Sequence, residues 1–308
     1  MSAAAVEPGS TTFPLVPRGR LIGVSYGLMR SIRRGSGLDV AGSRPYQSGD
    51  DVDKIDWAAS ARLSSARGVD EFIVRELHAE EAPRVIVLAD RRPSLALFPE
   101  PFPWLAKWRA LDEATAVIAR SAVAARGYPG YLDFADGEAY WHSPRSGRDL
   151  HRDDPPRGFG APEDTLELGL GHLSQLRPVP PVGTFLFVVS DFLAPPPTHA
   201  WYDSIERGWD VVPVIVQDPV WERTFPDVGG VTVPLVDAAG GRPRLVRLTA
   251  REAAERRRGN ERRFEELLAS FDLLGLEPIV LDDDAPAAVV SAFLDWSSGR
   301  LAERGRGW

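Results

Sequence analysis

Four apolar segments of the chain are continuous rather than alternating, and each of them ends in an aspartate. They cover residues 85–90, 184–191, 211–218 and 278–282. Unbroken apolar runs of this length are typical of strands in a parallel sheet that is covered on both faces. Ligands of such sheets bind outside the carboxyl ends of the strands, so the four terminal aspartates predict a functional site at that edge.

Helical patterns separate these segments, as crossovers between parallel strands require. Apolar residues recur every three or four positions over residues 104–122, 166–176, 264–274 and 287–294. The first of these stripes includes Trp104 and Trp108, and Thr249 is the candidate N-cap of the third helix. Residues 131–134 and 139–141 flank Asp136-Gly137 and predict a β-hairpin.

The fold class predicted from this order is α/β, with a doubly wound and mostly parallel sheet over residues 83–308. Residues 1–14 are predicted to be a disordered N-terminus. Residues 15–82 contain too few apolar positions for a confident independent domain. We therefore expect them to form an N-terminal extension that packs on the sheet domain.

Composition narrows the classes of function. The 308 residues are 44% hydrophobic and 26% charged, with a net charge of -8, which argues against a nucleic-acid-binding surface. The absence of cysteine excludes thiolate chemistry, and the five histidines show no metal-ligand spacing. The first residues do not resemble a secretory leader, and the sequence contains no apolar run of ~18–20 residues. The sequence therefore predicts a soluble, cytoplasmic protein without direct membrane insertion.

The densest polar motif lies upstream of the first strand, over residues 44–62. It resembles the signature of a bacterial family, domain of unknown function 58, which reads R-x-Y-x-x-G-D-D-x-R-x-I-D-W-x-x-S-A-R. The one departure is at Asp53, which precedes Lys54 and stands where the family has arginine. The matching positions are Arg44, Tyr46, Gly49, Asp50, Asp51, Ile55, Asp56, Trp57, Ser60, Ala61 and Arg62.

The aspartates of this signature allow two interpretations. They are either a catalytic carboxylate set or structural residues, with Asp50 or Asp51 capping a turn and Asp56 pairing with Arg44 or Arg62. The structural interpretation is preferred because no histidine or metal pattern accompanies the aspartates. On the same interpretation Trp57 is predicted to be buried.

A first strand that ends in aspartate and is followed by a long helix and a hairpin resembles the von Willebrand factor A fold, which is Rossmann-like. Domains of that fold often hold a divalent cation at a metal-ion-dependent adhesion site. Its parts are Asp-x-Ser-x-Ser after the first strand, a threonine from a later loop and an aspartate after the fourth strand. The resemblance assigns these roles to Asp90, Ser94, Thr165 and Asp191, with Mg²⁺ as the metal.

Arg92 occupies the place of the middle serine and leaves two alternatives open. Either Arg92 is turned away and Mg²⁺ binds weakly, or its guanidinium lies at the vacant metal position and neutralises Asp90 and Asp191. Two uncompensated carboxylates raise each other's pKa, so a cation is needed in either case. The tethered cation is the simpler solution, and a degenerate site without a cofactor is the preferred prediction.

The family resemblance implies a non-enzymatic interaction module, an adaptor that works with a MoxR-type AAA+ ATPase in protein assembly or chaperone-like maturation. The residues expected to line its partner-facing end are Asp90, Arg92, Ser94, Thr165 and Asp191. The alternative is a Mg/Mn-dependent hydrolase that uses the strand-end aspartates, although no general base or nucleophile is identifiable. A third hypothesis is a module that organises an envelope or secretion complex through a membrane-bound partner.

Overall fold

The structure is a computed structural model that describes residues 11–18, 34–46, 55–67, 72–78, 82–97, 104–144, 157–230, 232–235 and 244–306. The chain divides into two compact units. The smaller one is residues 19–83, and the larger one joins residues 1–18 to residues 84–308. The packing of the N-terminal extension on the sheet domain stays a prediction.

The smaller unit contains β1 (Arg34–Pro45), α1 (Trp57–Arg67) and β2 (Ile73–His78), with the two strands antiparallel. Signature residues hold the start of α1. Asp56 accepts a hydrogen bond from the Ala59 backbone N–H at 3.0 Å and so caps the helix. Ser60 accepts from the Ile73 backbone N–H at 2.8 Å, which ties α1 to β2.

The prediction of a buried Trp57 is wrong: its side chain is 60% exposed, and its ring contacts the ring of Phe72 edge-on. The other signature aromatic, Tyr46, is 37% exposed. In α1 Arg62 donates to the Ala58 carbonyl. The Gly49-Asp50-Asp51 turn and the Arg44 side chain lie outside what the structure describes.

The strands of the larger unit are β3 (Arg84–Ala89), β4 (Tyr128–Asp133), β5 (Tyr140–His142), β6 (Phe185–Ser190), β7 (Asp210–Ile215), β8 (Thr232–Leu235), β9 (Arg244–Arg247) and β10 (Ile279–Val280). In the described part of the chain, six of them form one sheet in the order β10-β7-β6-β3-β4-β5. All neighbours in it are parallel except β5, which is antiparallel to β4. Strands β8 and β9 form a separate hairpin.

Helices cover both faces of this sheet. Pro93–Ala96 forms a single 3-10 turn, and the α-helices are α2 (Lys107–Ala124), α3 (Thr165–Gln175), α4 (Thr198–Glu206), α5 (Ala250–Leu273) and α6 (Pro286–Arg306). Helices α2 and α6 pack together on one face, whereas α3, α4 and α5 share a core with the other. None of the helices among the described residues has the length and apolarity needed to cross a membrane.

The predicted α/β architecture with a mostly parallel sheet is confirmed. The four apolar runs coincide within a few residues with β3, β6, β7 and β10, and the predicted hairpin is β4–β5. Thr249 caps α5 in a capping box with Glu252. The sequence did not predict α1, α4 or the β8–β9 hairpin.

Two local predictions are wrong. Trp104 and Trp108 are 67% and 43% exposed, whereas the neighbouring Lys107 is buried. Disorder through residue 14 is also contradicted, because Phe13 is buried and its ring stacks on Phe293 at 4.7 Å. Its backbone N–H donates to the Ser121 hydroxyl at 3.0 Å, so this segment belongs to the core of the sheet unit.

The strand order reverses between β3 and β6, since β4 and β5 lie on one side of β3 and β6, β7 and β10 lie on the other. Open α/β sheets place their ligand sites at such a switch point. Asp90 directly follows β3, and Asp191 directly follows β6. The topology therefore brings the two predicted site aspartates to one place.

Candidate functional site: a buried cluster of ion pairs

Asp90 and Asp191 are fully buried at the carboxyl ends of the two central strands. The Asp90 backbone N–H donates to the Val189 carbonyl at 2.9 Å, which extends the pairing of β3 with β6 up to the site. A buried carboxylate is costly unless a cation or several hydrogen bonds compensate it. The chemistry of the site therefore depends on what faces these two side chains.

The guanidinium of Arg92 faces Asp90. Its Nε lies 3.0 and 2.9 Å from the two carboxylate oxygens of Asp90, and its Nη2 lies 2.5 Å from Oδ2. The same Nη2 is 3.6 Å from Asp191 Oδ1. Arg92 is thus not turned away, and its charge lies between the two carboxylates.

The remaining donors of Arg92 are also used. Nη1 donates to the carbonyls of Ala194, at 2.9 Å, and Glu163, at 3.4 Å. Ser190 donates from its hydroxyl to Asp90 Oδ2 at 2.6 Å and lies 3.3 Å from Arg92 Nη2. One side chain therefore joins the end of β3 to the loops after β6 and before α3, with no nitrogen of its guanidinium left without an acceptor.

Lys107 supplies a second buried cation, at the first residue of α2. Its side chain is completely buried, and its Nζ donates to Asp191 Oδ2 at 3.0 Å and to Glu222 Oε1 at 2.5 Å. Glu222 in turn accepts from the Asp218 backbone N–H at 2.9 Å. We call Asp90, Arg92, Lys107, Asp191 and Glu222 the strand-end cluster.

The pKa values in the strand-end cluster follow from burial and from these pairings. Burial works against the Lys107 ammonium, but the carboxylates of Asp191 and Glu222 outweigh it and raise the pKa of Lys107. Burial also opposes the charged Asp191, yet Lys107 and Arg92 prevail and lower its pKa. For Glu222, burial dominates and raises the pKa. Of Asp191 and Glu222, Asp191 is therefore the carboxylate whose ionised form the cations stabilise more strongly.

Asp218 organises the loops around the cluster without joining an ion pair in the described structure. Its Oδ2 accepts from the backbone N–H groups of Trp104 and Leu105, at 2.8 and 3.1 Å. Its Oδ1 accepts from Val220 and Trp221, at 2.8 and 2.9 Å. This buried carboxylate fixes the approach to α2, and so the position from which Lys107 enters the cluster.

Other predicted residues lie at different distances from the cluster. Ser94 is buried in the 3-10 turn, and its hydroxyl helps to lower the pKa of Asp191. Thr165 is buried at the start of α3, and among the described residues its hydroxyl has no hydrogen-bond partner. The fourth strand-end aspartate, Asp282, is exposed and pairs with Arg223 at 2.6 Å.

The chain leaves β6 through a strained residue. Phe192 has a φ of 48°, in the left-handed region that residues other than glycine seldom adopt. Its backbone N–H donates to the Ser190 hydroxyl at 2.8 Å, and its ring packs on Phe271 and Trp201. Buried packing thus holds the backbone that directs Asp191 towards Arg92 and Lys107.

The residues assigned to a divalent cation do not fit one in this arrangement. Both oxygens of Asp90 accept from Arg92, and Asp191 is shared by Arg92 and Lys107. A magnesium ion needs about six oxygen ligands and would have to displace the guanidinium. Across the described residues, no group of three or more histidine, aspartate or glutamate side chains is arranged to hold a metal.

Sequence reasoning found Asp90, Arg92 and Asp191 but missed Lys107, Ser190 and Glu222. A signal for Lys107 was available, because it is one of only two lysines in a chain of 308 residues and lies in an otherwise apolar helix stripe. Glu222 gave no such signal. Its role depends on a contact with a residue 115 positions away.

These features define an α/β protein whose switch point holds paired charges. A family model described as "Protein of unknown function DUF58" matches residues 42–265. The match covers more than half of the chain, and the protein belongs to this family. No curated protein matches the chain.

Proposed function

We propose that the protein is a non-enzymatic interaction module of von Willebrand A type, in which the metal-ion-dependent adhesion site has become a fixed ion-pair cluster. The observation that carries this proposal is the engagement of Asp90 and Asp191 by Arg92 and Lys107. Two tethered cations supply the charge that a bound metal would supply. The site then needs no cofactor to hold its shape.

The order of elements supports the von Willebrand A type. Strand β3 ends in Asp90, the long helix α2 follows, and β4 and β5 then form the hairpin. Ser190 ends β6, the fourth strand of the unit, and Asp191 and Phe192 follow it. This is the position at which the adhesion site has its later aspartate. In this proposal the strand-end cluster is a brace that keeps the loops at this edge in one arrangement.

The cluster itself is buried, so we assign recognition to the exposed residues at the same edge. Asp90, Arg92, Ser94, Thr165 and Asp191 are all buried. Two large side chains of the described chain that flank Lys107 in sequence, Trp104 and Trp108, are exposed. Tryptophan is enriched among the residues that dominate binding energy at interfaces. In this proposal the strand-end cluster holds the rings of Trp104 and Trp108 in place for a partner.

The partner class comes from the family resemblance, which implies an adaptor for a MoxR-type AAA+ ATPase in protein assembly or chaperone-like maturation. The hydrolase alternative gains no support from the cluster. Its carboxylates accept from tethered cations, and in the described residues neither Asp90 nor Asp191 is exposed to a substrate.

A binding measurement tests the proposal. The Trp104→Ala, Trp108→Ala double variant should bind the MoxR-type ATPase of the source organism about 30-fold more weakly, as the loss of an interface hot spot predicts. Tyr202→Ala is the matched control, because Tyr202 is an aromatic residue of α4 that is 50% exposed. Equal affinity in the double variant, or no binding by the wild-type protein, would contradict the proposal.

A further inference from the structure

A groove lies at the edge of the sheet opposite the strand-end cluster, where β3 and β4 begin. It has a volume of about 700 Å³ and is lined by Arg84, Tyr128, Trp141 and Arg177 together with several prolines. Arg84 and Tyr128 are the first residues of β3 and β4 and are paired in register. We call this cavity the basic groove. It shares no residue with the strand-end cluster.

The charge of the basic groove differs from that of the chain as a whole. The protein carries a net charge of -8, yet none of the described residues that line the groove is acidic. Within the described structure, Arg84 has no ion pair, and Arg177 donates only to the carbonyls of Gln175 and Leu176. Both arginines are exposed, and neither has a carboxylate partner in the part of the chain that the structure describes. Arginine pairs with carboxylates and with phosphates, so a groove of this kind favours an anionic ligand such as an acidic side chain.

The walls between the two arginines are apolar and already fixed. Pro178, Pro180 and Pro181 have no backbone N–H and present mainly their rings. The Pro180 carbonyl accepts from Trp209 Nε1 at 3.0 Å, and the Pro181 carbonyl accepts from the Thr184 hydroxyl at 2.7 Å. A wall that is held in this way loses little entropy when a ligand binds.

Grooves lined by aromatic side chains are surfaces that bind extended, proline-containing segments. Tyr128 is 37% exposed, and Trp141 packs against the apolar core behind the groove. An extended chain would place apolar side chains on these rings while its acidic side chains reach the arginines. A rigid apolar molecule without carboxylates would leave both guanidinium groups unused.

We propose that the basic groove binds an extended acidic segment of a partner protein, with carboxylates paired to Arg84 and Arg177 and aliphatic or proline side chains packed on Tyr128 and the proline wall. This site acts at the edge opposite the strand-end cluster and does not depend on the function proposed above. The two ideas can fail separately, because they involve different residues.

An array of random dodecapeptides tests the proposal, with the purified full chain as the probe. Peptides bound by the wild-type protein should contain at least about threefold more aspartate and glutamate than the array as a whole. The Arg84→Gln, Arg177→Gln double variant should bind the best of these peptides about three- to tenfold more weakly, as expected for exposed ion pairs. Arg244→Gln is the control, because Arg244 is an exposed arginine on β9.

Several outcomes would overturn the proposal. They are the absence of any bound peptide, bound peptides without acidic enrichment, and enrichment that persists unchanged in the double variant. Vesicles of phosphatidylglycerol and phosphatidylcholine form a separate arm, and binding to these vesicles without acidic peptides would assign the groove to a membrane surface instead. Circular dichroism of each variant separates the loss of binding from the loss of fold.

Discussion

The two edges of the sheet use the same residue type in opposite ways. At the carboxyl edge, Arg92 is buried, and every nitrogen of its guanidinium has an acceptor. At the other edge, Arg84 and Arg177 are exposed and, among the described residues, have no carboxylate partner. Burial is what separates them. A buried guanidinium must be paired, whereas an exposed one is solvated and stays available to a ligand.

This difference sets how each edge responds to mutation. Burying two charges costs several kcal/mol per ion, and their mutual attraction offsets that cost only when both partners are present. The strand-end cluster therefore adds little net stability, but the loss of one member leaves a buried charge uncompensated. Removing a solvated arginine leaves no unpaired charge in the protein interior. Replacing an arginine should therefore lower the free energy of unfolding strongly at the carboxyl edge and change it little at the opposite edge.

The largest expected effect is that of Lys107→Met. It leaves Asp191 and Glu222 without the ammonium they share, and the expected loss is about 3–5 kcal/mol in the free energy of unfolding. Urea denaturation measures it. Adding Glu222→Gln to this variant should recover part of the loss, because it removes the carboxylate that paired with Lys107 and does not pair with Arg92 among the described residues.

Arg120→Met is the matched control for Lys107→Met. Arg120 lies on the same helix and pairs with Glu113 at 2.7 Å, but its side chain is 40% exposed. Exposed pairs contribute about 0.2–1 kcal/mol. A loss in Lys107→Met no larger than that of the control would show that the buried lysine is not needed to compensate the carboxylates.

Arg92→Ser should have the next largest effect, a loss of about 3 kcal/mol, since among the described residues Asp90 then keeps only the hydrogen bonds to its carboxylate from Ser190 and from the backbone N–H of residue 92. The variant also restores the Asp-x-Ser-x-Ser pattern and clears the position between the two aspartates. We expect calorimetry to detect Mg²⁺ binding in this variant. At a hundredfold excess over Kd, Mg²⁺ should return about 2.7 kcal/mol of stability.

The control for this experiment is Arg92→Met, which removes the charge without adding a metal-binding hydroxyl. It should be destabilised to a similar degree and gain less from Mg²⁺ or Mn²⁺. Tight binding of either metal by the wild-type protein would overturn the tethered-cation interpretation. It would also bring the metal-dependent hydrolase back as the leading hypothesis.

Part of this cluster could be predicted from the sequence, and the missed part has a physical reason. Unbroken apolar runs mark buried parallel strands, so the aspartates that end them were placed correctly at one edge. Asp90 and Arg92 are two residues apart, so their pairing could be predicted from the local sequence. Lys107 is different, because its partners lie 84 and 115 positions away along the chain.

The helix that carries Lys107 also shows that a sequence pattern does not reveal contacts with residues distant in the chain. Periodicity over residues 104–122 favoured Trp104 and Trp108 as inner residues, because tryptophan is the more hydrophobic side chain. Tertiary contacts decided otherwise. Asp218 fixes the backbone of Trp104 and Leu105 just before α2 begins. Lys107 then pairs with the buried carboxylate of Asp191.

The pH dependence of stability should be smaller than these losses. Burial raises the pKa of Glu222 above its ordinary value of 4.5. A carboxyl with a raised folded-state pKa contributes stability that is fully present below the unfolded value and is lost as pH rises through the folded one. The free energy of unfolding should therefore decline as pH rises above 4.5, and Glu222→Gln should reduce that decline.

Urea denaturation at several pH values checks this expectation, with Glu255→Gln on the exposed face of α5 as the control. Part of the decline should remain in Glu222→Gln, because burial also raises the pKa of Asp210. An unchanged decline in Glu222→Gln would show that Glu222 is ionised in the folded protein as readily as in the unfolded one.

The smallest expected effect is the one that completes the comparison. Arg84→Gln and Arg177→Gln should each change the free energy of unfolding by less than about 0.5 kcal/mol, as surface substitutions without a buried partner do. The measurement is urea denaturation beside Arg92→Met, in which an arginine is also replaced by an uncharged side chain. A loss of several kcal/mol in Arg84→Gln would mean that its charge is compensated within the protein. The basic groove would then lose the unpaired cation on which the recognition of an acidic segment depends.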